Sequence, residues 1–144
     1  MKQLPDNFTI YGVNKTADIK NKAYSIEEVY EVIKDDMFAK RANPNRVMFD
    51  GDEIKANSQR LQLFYTKGFK CVQCGTEGKF FVKLKNKHDN RYHLELVGET
   101  PDGTYILMTK DHITPKSKGG RNTLENYQTM CVVCNMKKGN KIIN

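Results

Sequence analysis

Four cysteines occur in two pairs with the same spacing, Cys71-Val-Gln-Cys74 and Cys131-Val-Val-Cys134. A two-residue gap lets both thiolates of a pair face one ion, and two such pairs supply the four ligands of a closed tetrahedral zinc site. The alternatives are two redox pairs or four buried free thiols, but redox use needs only one CxxC, near a βαβ pattern that is absent here. We therefore expect a structural Zn²⁺ that staples strands to the last helix.

A second set of residues that can do chemistry is Asp111-His112 together with Asn126 and Asn135. Hydrolysis of a phosphodiester needs a base for the water and an electrophile for the charge that grows on the leaving oxygen. A histidine has an ordinary pKa of about 6.5 and is largely neutral at cellular pH, so His112 is the candidate general base. The oxygens of Asp111 and Asn135 are hard ligands that suit Mg²⁺ or Mn²⁺. Asn126 falls in a predicted loop or short helix, where its side chain can hydrogen-bond the backbone and fix the loop that carries His112.

Positive charge is concentrated around these residues. The formal net charge is +7, and the segment from Lys110 to the C-terminus carries +5 of it, from seven basic and two acidic residues. A solvated charged surface is the alternative interpretation, but this charge surrounds a motif, which favours contact with phosphate. The candidate contacts are Lys116, Lys118 and Arg121, and Gly119-Gly120 let the backbone approach a phosphate closely.

The run Asp-His-x-x-Pro-x-Ser-x-Gly-Gly is followed by an Asn fourteen residues after the His and by another Asn nine residues further on. This pattern resembles the HNH nucleases of the ββα-metal class. The resemblance covers about Met108 to Lys141, and it extends to Cys71 in the zinc-knuckle subgroup of that family.

The resemblance implies a role for each matching residue. His112 corresponds to the general base, and Asp111 corresponds to a ligand of the catalytic metal. Asn135 stands at the last position of the motif, which is often His but is Asn in many members, where it binds the metal. Asn126 matches the middle, structural asparagine, and Lys138 stands where the family commonly has a basic residue near the phosphate.

By this resemblance the chain is expected to be a metal-dependent endonuclease that hydrolyses phosphodiester bonds in DNA with one Mg²⁺ or Mn²⁺ ion. Double-stranded DNA is expected as the substrate because it is the usual substrate of this family. One active site cuts one strand, so a double-strand break would require a homodimer or two separate cleavage events. The choice between nicking and double-strand cleavage therefore stays open. The alternative is a catalytically inactive, zinc-stapled nucleic-acid-binding module. A decayed site would be expected to lack one of the four motif residues, and all four are present.

The spacing of apolar residues predicts an α+β fold, and the resemblance implies that it contains a ββα-metal, treble-clef-like HNH module. Residues 1–68 are expected to form a helical segment packed on the nuclease module, which spans residues 69–144. Ser25 and Glu28 form a capping box before a helix from about Ile26 to Ala39, which Ala42-Asn43-Pro44-Asn45 would end. Ser58 begins a second helix that Gly68 closes.

Alternating residues and turn signals predict the strands. Expected strands are Phe8 to Val13, Val47 to Phe49 before the turn at Asp50-Gly51, Phe80 to Lys85, Arg91 to Val97 and Tyr105 to Met108. The strand-rich stretch Lys79 to Leu107 is longer than a minimal module needs and is expected to be an insertion.

Composition limits the setting in which the chain works. Only 38% of residues are hydrophobic and the mean hydropathy is −0.69, so a bound zinc would add rigidity that a thin core lacks. No apolar window is long enough for a membrane span, and the N-terminus does not resemble a secretory signal. We therefore expect a cytoplasmic protein without membrane contact. Small basic HNH proteins are frequent in phages and mobile elements, which would place it in the host cytoplasm.

Overall fold

The computed structural model describes residues 1–40 and 45–142. Within these ranges the chain forms a mixed fold of three α-helices and nine strands. The helices are α1 (Ile26–Met37), α2 (Gln59–Lys67) and α3 (Val132–Lys138). The strands are β1 (Lys2–Gln3), β2 (Asp18–Ile19), β3 (Lys22–Ser25), β4 (Arg46–Phe49), β5 (Asp52–Lys55), β6 (Gly78–Lys85), β7 (His93–Glu99), β8 (Tyr105–His112) and β9 (Tyr127–Cys131).

One antiparallel sheet organises the described chain. Its strand order is β1-β3-β6-β7-β8-β9, with β2 also paired to β6, while β4 and β5 form a separate hairpin. The three strands predicted between residues 80 and 108 are present as β6, β7 and β8. Most positions of β6 and β7 are buried, because side chains on both faces of these strands belong to hydrophobic clusters. Strands from residues 1–68 thus continue the sheet that carries the HNH motif.

Helices α1 and α2 begin at the caps that the sequence indicates. Ser25 Oγ accepts a hydrogen bond from the backbone N of Glu28 at 3.1 Å, and a carboxylate oxygen of Glu28 accepts one from the backbone N of Ser25 at 2.8 Å. Helix α1 ends at Met37, two residues before the predicted end. The predicted stop at residues 42–45 lies mostly outside the described residues. Ser58 Oγ caps α2 by accepting a hydrogen bond from the backbone N of Leu61 at 3.2 Å.

The predicted strand Phe8 to Val13 is wrong. Only Tyr11 pairs with the sheet, through an isolated bridge to Ile106. Gly12 adopts a φ of +96°, which lies outside the extended region and ends the pairing after one residue. A β-carbon at Gly12 would also lie 2.8 Å from the side chain of Val132, so this segment fits closely against α3.

The larger of two hydrophobic core clusters lies between the sheet and the first two helices. The apolar stripe predicted for α1 is buried there, with Val29, Ile33 and Met37 fully covered. Helix α2 packs against β8 and β9, next to the connection that carries the motif residues. No helix among the described residues is long and apolar enough to cross a membrane.

Candidate active site and metal centres

The four cysteine side chains converge on one point. Their sulfur atoms all lie within 4.8 Å of one another, and none forms a disulfide. Sγ of Cys74 lies 3.8 Å from Sγ of Cys131, close to the separation expected for two thiolates about 2.3 Å from a tetrahedral zinc ion. The backbone N of Cys134 donates to Sγ of Cys131 at 3.4 Å. Number, type and spacing of the donors therefore fit a structural zinc ion.

Electrostatics at the cysteine cluster also suit a cation. Burial opposes ionisation of Cys74, but hydrogen bonds with Thr76 outweigh it and lower the pKa of this thiol to about 6. Burial and contact with the other sulfurs raise the pKa of Cys134, and burial raises that of Cys131. A cation bound between the sulfurs would offset the charge of the thiolates and favour their ionised form.

A second cleft, of about 290 Å³, lies where β8 ends and α3 passes behind the loop that follows β8. It brings together Asp111, His112 and Asn135, which the sequence separates by up to 24 positions. Its lining also includes the side chains Lys110, Lys116 and Lys138. One carboxylate, one amide and one imidazole thus share a solvent-accessible space with basic residues.

The neighbours Asp111 and His112 reach the same cleft because β8 ends at His112. Asp111 is 6% exposed, whereas His112 is half-buried. The ring of His112 packs edge-on against Tyr127, its partner across the strands, with centroids 4.9 Å apart. Nε2 of His112 lies 2.7 Å from Oδ1 of Asn122. The imidazole is therefore held on two sides.

Asp111 is paired with Lys138 rather than open on all sides. Nζ of Lys138 lies 3.1 Å from Oδ2 of Asp111 and donates to the backbone O of His112 at 2.7 Å. Gln128 donates to Oδ2 of Asp111 at 2.9 Å. Lys138 is only 2% exposed and lines the cleft, so it forms part of the floor of the cleft. Its contact with phosphate stays a prediction.

The pairing of Asp111 and Lys138 leads to a stability prediction. Asp111→Ala is expected to lower the free energy of unfolding by about 3–5 kcal/mol, because it leaves the buried ammonium of Lys138 without its counter-charge. Urea unfolding of the single variant and of Asp111→Ala/Lys138→Met measures this, and the double variant should recover much of the loss. A single variant as stable as the intact protein would contradict the pairing.

Asn135 is oriented by a short chain of hydrogen bonds. Its Nδ2 donates to Oγ1 of Thr109 at 2.8 Å, and this hydroxyl donates to the backbone O of Met130 at 2.8 Å. Oδ1 of Asn135 accepts no hydrogen bond from the described residues. With its nitrogen held by β8, the amide is left with its oxygen as the group available to a ligand.

Asn126 holds the loop after β8 and does not line the cleft. Its Oδ1 accepts from the backbone N of Thr114 at 2.9 Å, and its Nδ2 donates to the backbone O of Thr114 and of Arg121 at 3.0 and 2.9 Å. These are the backbone hydrogen bonds expected of this side chain from the sequence. The loop is tight at Gly120, where a β-carbon would lie 1.8 Å from the backbone O of Thr114.

The predicted phosphate contacts occupy different places. Lys116 lines the cleft, whereas Lys118 and Arg121 are exposed on the loop beyond it. Lys110 also lines the cleft, although the motif spacing did not indicate it, and its Nζ lies 4.3 Å from the ring centroid of Tyr127. The signals for Lys110 in the sequence were its place directly before Asp111 and at the start of the basic segment. Burial lowers the pKa of Lys110, and so does repulsion from the neighbouring cations Arg60, Lys116 and Lys55.

Comparison with known proteins identifies the segment that carries this cleft. A family model described as HNH endonuclease matches residues 103–144. The match includes all four motif residues and the second cysteine pair, and it confirms the resemblance found in the sequence. It indicates a nuclease-type function and binding of nucleic acid and a divalent metal. No curated protein and no solved structure matches the chain.

Proposed function

Because the chain carries an HNH endonuclease-family segment at residues 103–144, we propose that it is a metal-dependent endonuclease that hydrolyses phosphodiester bonds in DNA. The observation that carries this proposal is the convergence of Asp111, His112 and Asn135 on one cleft beside Lys116. In this proposal β8, β9 and α3 form the ββα-metal unit of the nuclease module at residues 69–144. Residues 1–68 pack on it as an accessory segment.

Asp111 and Asn135 would hold the catalytic Mg²⁺ or Mn²⁺. Both offer oxygen donors in the same cleft, and the Asp111 carboxylate has enough lone-pair sites to accept Gln128 and still bind an ion. A bound divalent ion supplies Lewis acidity that offsets the charge on the leaving 3′ oxygen. The cysteine cluster has no open position once zinc is bound, so it is assigned a structural role.

His112 is the general base of the proposed reaction. When Nε2 carries the proton and donates to Oδ1 of Asn122, Nδ1 of the neutral imidazole keeps its lone pair and accepts a proton from water. That water attacks phosphorus, and the bond from phosphorus to the 3′ oxygen breaks. The product then carries a 5′ phosphate and a 3′ hydroxyl.

Asn122 is assigned as a positioning residue for His112. Asn122→Ala is expected to lower kcat by up to about 100-fold with little change in KM, because a freely rotating imidazole loses its alignment. Asn122→Asp retains an oxygen acceptor and should retain most of the activity. Steady-state kinetics of both variants measure this, and equal losses in the two would show that the acceptor oxygen is not what matters.

The proposed substrate is double-stranded DNA, with phosphates contacted by Lys116, Lys118 and Arg121. All three are exposed on the loop that borders the cleft, and one neutralised phosphate each would make binding strongly salt-dependent. A homodimer would supply two clefts for double-strand cleavage, and a monomer would nick.

A non-catalytic nucleic-acid-binding module is the second candidate. The ion pair between Lys138 and Asp111 favours it, because the ammonium already neutralises the carboxylate that the metal would need. A protein of this kind would bind nucleic acid through the same basic loop, and magnesium would have no effect on its affinity.

Incubation of the zinc-loaded protein with supercoiled plasmid, linear duplex, single-stranded DNA and RNA distinguishes these candidates. Conversion of plasmid to open-circular or linear form with magnesium or manganese, and its loss after chelation of the magnesium, supports the endonuclease. Binding without cleavage of any substrate supports the module. Cleavage of RNA alone would support phosphodiester hydrolysis but overturn the assignment of DNA as the substrate.

A further inference from the structure

The first residue of α2 contacts the wall of the active-site cleft, although it lies outside the segment that matches the HNH family. Oε1 of Gln59 accepts from Nζ of Lys110 at 3.2 Å and from the hydroxyl of Tyr127 at 2.9 Å. Nε2 of Gln59 donates to the backbone O of Asn122 at 3.1 Å. The side chain of Gln59 therefore joins residues 1–68 to β8, to β9 and to the loop whose Asn122 contacts His112.

Gln59 is a neutral partner for Lys110, so the contact does not offset the positive charge of the lysine. Its ammonium is held by a neutral amide and by the face of Tyr127, at 4.3 Å from the ring centroid. Like Lys116, it lines the cleft, and neither lysine forms an ion pair with any described residue. Two uncompensated cations therefore flank the place where the scissile phosphate would lie.

Lys55 extends this group of cations away from the cleft. It is the last residue of β5, is exposed, and forms no ion pair within the described ranges. Lys55 lies four residues before Gln59, so it belongs to the same part of residues 1–68 that contacts Lys110. Arg60 is also close, but its charge is compensated because Nη2 lies 2.8 Å from the buried carboxylate of Glu95. The free cations Lys55, Lys110 and Lys116 thus form a basic rim that leads from the cleft onto residues 1–68.

We propose that this basic rim binds backbone phosphates of the nucleic acid beside the phosphate that is cut, so that residues 1–68 take part in substrate binding. The partner chemistry is a polyanionic backbone, since uncompensated lysines on separate elements give charge without a pattern for reading bases. Gln59 acts as the positioning residue that fixes Lys110 against Tyr127. The inference rests on the proposed function, but it concerns affinity and not turnover.

The experiment measures binding in the absence of cleavage. In the His112→Ala background, a fluorescein-labelled DNA duplex is titrated by anisotropy at several salt concentrations with Lys55→Gln, Lys110→Gln and the double variant. Lys2→Gln is the matched control, because Lys2 is exposed on β1 at the opposite edge of the sheet. Lys110→Arg keeps the charge, and melting curves confirm that each variant is folded.

Each rim lysine that binds a phosphate should contribute roughly 0.9 to the slope of log K against log salt, and hence about eightfold in affinity near 0.1 M salt. The double variant is therefore expected to lose about 1.8 from the slope, whereas Lys110→Arg and Lys2→Gln keep it. An unchanged slope in the folded double variant would overturn the proposal that the basic rim binds phosphates. A loss of slope in Lys2→Gln as large as in the rim variants would overturn it as well. A protein that shows the rim effect but never cleaves would overturn the proposed endonuclease alone.

Discussion

Cys71→Ser is expected to abolish the folded state of the protein at ordinary temperature. Structural zinc in a four-thiolate site contributes on the order of 10–16 kcal/mol, which is comparable to or larger than the whole stability of a small domain, about 5–15 kcal/mol. Cys71 is 2% exposed, and its partner cysteines connect the region after α2 to the end of β9 and to α3. Loss of one ligand therefore separates three parts of the fold.

Far-UV circular dichroism and the zinc content per chain measure this expectation. Val72→Ser is the matched control, because Val72 lies between the two cysteines of the same pair but is 60% exposed. It should bind one zinc ion and melt cooperatively near the intact protein. A zinc-free Cys71→Ser variant that melts at the same temperature as the intact protein would contradict the structural role of the cluster.

His112→Ala is expected to lower the rate of strand cleavage by about 10²–10⁴-fold, the usual contribution of a positioned general base. The affinity for DNA should change little, because His112 is half-buried and its contacts in the structure are with Asn122 and Tyr127. Single-turnover cleavage of a labelled duplex, with enzyme in excess, measures the chemical step. Added imidazole should restore part of the rate by entering the space that the side chain leaves.

His88→Ala is the matched control for His112→Ala. His88 is exposed in the turn between β6 and β7 and has no part in the cleft. Its loss should leave the rate within about twofold, as is usual for a surface substitution away from the site. Undiminished cleavage by a folded, zinc-loaded His112→Ala variant would show that another group activates the water.

The sequence predicted the parts of the site in which chemistry restricts the residue type. Four cysteines in two CxxC pairs are typical of metal binding, and the structure brings their sulfurs together. The spacing from Asp111 to Asn135 identified residues that do share one cleft. Strands β6 and β7 were predictable because polar and apolar residues alternate along much of their sequence, and β8 because it begins with a compact apolar run.

The sequence could not predict contacts that depend on how distant segments meet. A lysine is usually exposed, so nothing in the pattern indicated that Lys138 lies buried against Asp111. Gln59 contacts Lys110, which is 51 positions away, through the packing of α2 on β8 and β9. Phe8 to Val13 had the composition of a strand, but the positive φ of Gly12 ends the pairing. Each of these features is set by tertiary packing.

The most direct test of the proposed reaction is cleavage of DNA by the zinc-loaded protein in ¹⁸O-labelled water with magnesium. We predict that the label enters the 5′ phosphate of the product, that the other end is a 3′ hydroxyl, and that both require His112. Attack of water on phosphorus with departure of the 3′ oxygen gives this result. No cleavage on any DNA substrate, or a product with a 3′ phosphate, would contradict it.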